Sequence, residues 1–124
     1  MLTISHEPNY VHVAVMSEFS IHDFREFEEN VLYEIRFHGA VNLLFDLTEM
    51  LGYTLDMALE EIKFAREHRK DFKRVAVVAD DQWVTWSAWL NQLLSDAEIE
   101  VFDDVESAQS WLNQLSLSDA EATA

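Results

Sequence analysis

Leu2 and Ile4 alternate with polar neighbours, Glu7-Pro8-Asn9 interrupts the pattern, and Val11, Val13 and Val15 then recur at every second position. A period of two puts side chains on one face of a pleated strand, so the opening predicts a hairpin of two strands. Ser20-Ile21-His22-Asp23 is a start of the capping-box type. Phe24, Phe27, Val31 and Ile35 follow at helical spacing, and His38-Gly39 marks a helix end. The run VNLLFDL at 41–47 is short and apolar on both parities, which suits a strand covered on both faces. Thr54 is placed to cap a helix over 55–70, and RVAVVA at 74–79 predicts another buried strand. A helix over 82–94, a strand over 98–102 and a helix over 104–115 complete the pattern, and the polar tail 116–124 is expected to be disordered.

The order ββαβαβαβα implies an α/β fold, a mostly parallel central sheet with helical crossovers that cover it. With 124 residues, two glycines and no internal repeat, residues 1–115 make one domain with one core.

The chain has no cysteine, which excludes a disulfide framework and thiol catalysis. Its start, MLTISHEPNY, has neither the basic nor the apolar region of a secretory signal. The expected location is therefore cytoplasmic, with any membrane contact peripheral at the inner face. A formal net charge of −16, from 24 acids against 8 bases, argues against a nucleic-acid surface. Lys63, Arg66, Arg69, Lys70, Lys73 and Arg74 form one basic island in this acidic chain, and no Lys or Arg follows Arg74.

Asp80 and Asp81 end strand 74–79, and Asp46 lies near the end of strand 41–47. Carboxyl ends of parallel strands are where open α/β sheets bind ligands, but an aspartate there also caps the next helix, as expected of Asp81. Two carboxylates without a nucleophile, a metal-spaced histidine set or a phosphate loop do not make an enzyme. His6, His12, His22, His38 and His68 show no ligand spacing, and Gly39 and Gly52 alone cannot build a glycine-rich loop. The expectation is a domain without catalytic residues, metal or cofactor.

The stretches LLFDLTEMLGYT, RVAVVADDQW and EVFDDVESAQSWL, in this order, resemble the SpoIIAA-like family of STAS-fold proteins (sulfate transporter and anti-sigma factor antagonist) over residues 1–115. The resemblance implies a small non-enzymatic domain. Relatives with this fold include phosphorylation-switched sigma-factor regulators, and lipid-binding CRAL-TRIO domains are similar in architecture. The regulators carry a pattern like Asp-Leu-Ser-x-Val-x-x-x-Asp-Ser-Ser, in which the first Ser after the second Asp accepts phosphate. Asp46 and Leu47 match it and Thr48 is conservative, but the second Asp falls on Thr54 and the acceptor on Leu55, which has no hydroxyl.

The helix after Thr54 is anomalous. Asp56, Glu60, Lys63, Glu67, Lys70 and Asp71 keep to an arc of about 100°, while Leu55, Met57, Ala58, Leu59, Ile62, Phe64, Ala65 and His68 span about 220°, against a stripe somewhat over ~100° needed for one sheet contact. Met57 and Phe64 either pack on a neighbouring helix or line an apolar groove. Helix 82–94 adds Trp83, Trp86 and Trp89, side chains suited to core stripes and to pocket walls. Lys63, Arg66, Arg69 and Lys70 either form a solvated, self-paired surface or hold an anionic head group.

Two roles follow. The first is binding of a lipid-like small molecule by Met57, Phe64, Trp83 and Trp86, with Lys63, Arg66, Arg69 and Lys70 on an anionic membrane surface. The second is a protein-interaction module using Gly52, Tyr53 and Thr54. The first requires a connected cavity, the second a closed core and an exposed patch beside Thr54. No oligomeric state follows from the pattern.

Overall fold

The computed structural model describes residues 1–80 and 96–113. Its elements are β1 (Leu2–His6), β2 (Val11–Phe19), α1 (Ile21–His38), β3 (Val41–Tyr53), α2 (Leu55–His68), β4 (Phe72–Val78), β5 (Glu98–Phe102) and α3 (105–113). The strands form one sheet in the order β1-β2-β3-β4-β5, in which β1 is antiparallel to β2 and every later pairing is parallel. This is the α/β architecture implied by the sequence. The expected helix 82–94, with Trp83, Trp86 and Trp89, lies outside the described residues, as do Asp81 and the tail 116–124.

Strand parity divides the core into two layers. Val13, Val15, Leu43, Phe45, Leu47, Val75 and Val77 face one side, where Phe24, Phe27 and Val31 of α1 and Met57, Phe64 and Ala65 of α2 cover them. Leu44, Ala76 and Val78 face the other side and meet Ala108 and Leu112 of α3. Both parities of β3 and β4 are buried, which is why those segments carry unbroken apolar runs.

Helix ends follow the local chemistry. Ser20 caps α1 in a reciprocal box, its Oγ accepting from Asp23 N at 3.2 Å while Asp23 Oδ2 accepts from Ser20 N at 3.1 Å. Gly39 closes α1 at φ 79°, a left-handed conformation that glycine takes without a Cβ clash, and donates its N–H to Ile35 O at 2.9 Å. In α2 the helix stops at His68, two residues short of the expected end, because Asp71 ties back to it: Asp71 N donates to His68 O at 2.9 Å, and His68 Nδ1 meets Asp71 Oδ2 at 2.8 Å.

β3 departs most from the expected boundaries. The apolar run predicts an end at residue 47, but the strand continues to Tyr53. Beyond Asp46 its pairing with β4 ceases while pairing with β2 resumes as Met16↔Glu49, Ser17↔Met50, Glu18↔Gly52 and Phe19↔Tyr53. Two register shifts accommodate this, each giving β3 one extra residue against β2, opposite Ala14–Met16 and Ser17–Glu18, with Ser17 at φ 60°. Such bulges bend and twist a strand. The result is a two-stranded ribbon that runs past the sheet and delivers Thr54 to the start of α2.

Candidate functional site

The ribbon and α2 meet at a corner fixed by backbone and cap hydrogen bonds. Thr54 N donates to Phe19 O at 3.1 Å, holding the start of α2 against the end of β2. Thr54 is the N-cap, as its residue type suggests, but its Oγ1 accepts from Met57 N at a long 3.4 Å, and Asp56 Oδ1 accepts from the same N–H at 2.9 Å. The cap is therefore shared with Asp56, whose charge also suits the helix N-terminus.

Large apolar side chains are exposed around this corner: Leu51 is 78% exposed, Leu55 77%, Leu59 60% and Tyr53 42%. Leu51 and Tyr53 come from the ribbon, two residues apart, and Leu55 and Leu59 from successive turns of α2. Gly52, between the first pair, has nothing within 4 Å of where a Cβ would stand, so it leaves the corner open without being sterically required there.

The wide apolar arc of α2 is thus split between two environments. Met57 is fully buried and Phe64 is 6% exposed, so both belong to the core. The Phe64 ring packs edge-on to Phe24 at 5.7 Å and lies 5.8 Å from Phe27, 6.0 Å from Phe72 and 4.7 Å from His68. The surplus apolar surface lies at Leu55 and Leu59, away from the two side chains assigned to a ligand groove. Glu61, at 6% exposed, shares the buried face with Met57 and Phe64. No hydrophobic pattern marks a buried glutamate, and sequence reasoning passed over it.

Lys63, Arg66, Arg69 and Lys70 are all exposed. Arg69 Nε stands 3.6 Å from Asp96 Oδ2. The acids of α2 turn elsewhere: Glu60 and Glu67 face Glu28 of α1. Burial pushes the Glu28 carboxyl above its usual range, the Glu60 and Glu67 charges and a hydrogen bond with Glu60 push it the same way, and Arg25 opposes them.

Asp46 Oδ1 accepts from Thr48 N at 3.0 Å and from Thr48 Oγ1 at 2.6 Å, a local turn. Two histidines share Glu34: His6 Nδ1 lies 2.6 Å from Oε1 and His38 Nε2 3.6 Å from Oε2. Among the described residues no group of three or more His, Asp or Glu is arranged to hold a metal ion, and no helix is long and apolar enough to cross a membrane. A cleft of about 870 Å³ lies at the opposite end of the sheet, where β3 and β4 begin, lined by His6, Glu34, Asn42, Lys73, Arg74 and Glu98 among others. Its lining is polar, and neither Met57 nor Phe64 is part of it.

The sequence profile of the SpoIIAA-like family matches residues 10–113. The chain belongs to the SpoIIAA-like family. Among solved structures, an uncharacterised protein of the DUF3478 family with a SpoIIAA-like fold, from Shewanella loihica PV-4, is 24% identical and superposes with a TM-score of 0.71, covering 90% of this chain and 92% of its own. The anti-sigma factor antagonist SpoIIAA in its unphosphorylated form superposes with a TM-score of 0.63 at 8% identity, covering 94% and 98%. At these identities the likeness is one of fold. No curated protein matches the chain. Leu55, the residue on which the pattern counted from Asp46 puts an acceptor, is 77% exposed at this corner.

Proposed function

We propose that this SpoIIAA-like domain is a non-catalytic protein-docking module whose contact surface is the corner formed by Leu51, Tyr53, Leu55 and Leu59. One observation carries the reading: α2 turns Met57 and Phe64 inward and two leucines outward. A carrier of apolar molecules needs the reverse arrangement, a cavity open to Met57 and Phe64. Covering a leucine side chain recovers about 1.5 to 3 kcal/mol, so three leucines and a tyrosine at one corner supply a worthwhile driving force for association.

The test is photo-cross-linking in cells that produce the protein, with the reactive group at position 55 or, as control, at position 100 on β5. A discrete protein adduct from position 55, lost when Leu51→Ser and Leu59→Ser are combined, is the expected result. Equal adducts from both positions would refute the reading. Stoichiometric lipid retained in native mass spectrometry and lost on Met57→Ser would return the carrier role to first place.

A further inference from the structure

The exposed face of α2 continues past the leucines. Leu55, Leu59, Ile62 and Arg66 follow one another at spacings of four, three and four. At about 100° per residue they fall within a strip roughly 60° wide along the helix. Leu55, Leu59 and Arg66 are exposed and Ile62 is half-buried. Lys63 lies beside the strip and Lys70 two residues past the helix end, both exposed, and neither they nor Arg66 forms an ion pair among the described residues. The helix therefore presents an apolar half followed by a cationic half, while Glu60 and Glu67 turn toward Glu28 on α1.

Resting on the docking role proposed above, we infer that the partner contributes an amphipathic helix, apolar where it crosses Leu55 and Leu59 and acidic where it crosses Arg66, Lys63 and Lys70. Four-three-four spacing is the seam along which two helices interdigitate, and a single helix laid on it meets the cations and leucines at once. From Leu55 to the helix end at His68 the strip is about 20 Å long, or just under four helical turns of partner. Charge selects the occupant. A second copy of α2 is disfavoured, since parallel pairing sets cations on cations and antiparallel pairing sets them on leucines. A flat anionic bilayer would also face the rest of a chain with a formal net charge of −16, whereas a single helix meets only the strip.

The experiment uses the whole chain and two synthetic helical peptides of about four turns. Each carries leucines at heptad spacing in its first half; in the second half one has glutamates at those positions and the other glutamines. The glutamate peptide is expected to bind by fluorescence anisotropy, to weaken as salt is raised, and to bind about 10- to 100-fold less tightly to the combined Lys63→Glu, Arg66→Glu, Lys70→Glu variant. The glutamine peptide should bind the parent more weakly and with little dependence on salt. Circular dichroism and melting of each variant verify that the fold is kept.

If charge reversal leaves binding unchanged while Leu55→Ser with Leu59→Ser abolishes it, the acidic partner is refuted and the docking corner stands. Indifference to both sets of substitutions refutes both. Failure of the parent to bind the glutamate peptide overturns the inference. So does sedimentation with phosphatidylglycerol vesicles that charge reversal removes, which makes a membrane the occupant. Self-association of the parent, lost on Leu55→Ser with Leu59→Ser, makes it a second copy and likewise overturns the inference.

Discussion

Phe64 and Leu59 lie five positions apart on the same helix and answer to opposite surroundings. The first is enclosed by Phe24, Phe27 and Phe72 and the second is 60% exposed. Truncating Phe64 leaves a cavity among rings that cannot all collapse into it, so Phe64→Ala should cost about 3 to 5 kcal/mol in chemical unfolding. Leu59→Ser should fall within about 0.5 kcal/mol of the parent. Similar losses for the two would mean that the assignment of inner and outer faces is wrong. Glu28 gives a prediction whose sign depends on pH. Its folded carboxyl binds a proton more readily than in the unfolded chain, because it is half-buried and faces Glu60 and Glu67. The folded state therefore holds the extra proton between the unfolded and folded pKa values, and stability falls as pH rises through that window. Glu28→Gln removes the penalty. Melting curves should show a stabilised variant at neutral pH and no advantage below the ordinary glutamate range; equal gains at both would trace the effect to packing.

At the scale of elements, β3 consists of two parts with different support. Residues 43–46 are paired on both sides, with β2 and β4, whereas 49–53 are paired with β2 alone. Amide exchange should therefore be faster over Glu49–Tyr53 than over Leu43–Asp46, as followed by NMR; uniform protection along β3 would contradict the ribbon. The ribbon also marks where the sequence stopped being readable. The run 41–47 and strand 98–102 announce themselves because a doubly covered strand must be apolar and a short one is bounded by polar residues. Thr48 to Tyr53 carries neither signal, since its strand state comes from pairing with β2, through extra β3 residues that no local pattern reveals. Periodicity likewise showed that α2 has too much apolar surface, but not which part meets the sheet. That choice depends on how α1 packs beside it, and it placed Phe64 inside and Leu55 outside. The Thr54 cap was legible from residue type, whereas its sharing with Asp56 was not.

For the molecule as a whole, the formal net charge of −16 is the largest unfavourable long-range feature. Like charges crowd together on folding, and dissolved ions screen them over a Debye length of about 10 Å at 0.1 M salt. The melting temperature should rise as sodium chloride is added from very low ionic strength; a fall would mean that ion pairs such as Arg74 with Glu98, 2.8 Å apart, outweigh the net repulsion. The same salt should weaken the proposed acidic partner, so folding and docking respond to ionic strength in opposite directions. Leu55 has a consequence of another kind. A hydroxyl at that position would let a kinase withdraw the surface within one catalytic turnover while the protein remained in place. A leucine cannot be withdrawn in that way, so under the proposed docking role occupancy of the corner follows mass action, through the amounts of domain and partner present and whatever competes for either. At position 55, control of the proposed contact falls to supply, by synthesis, degradation or a rival binder.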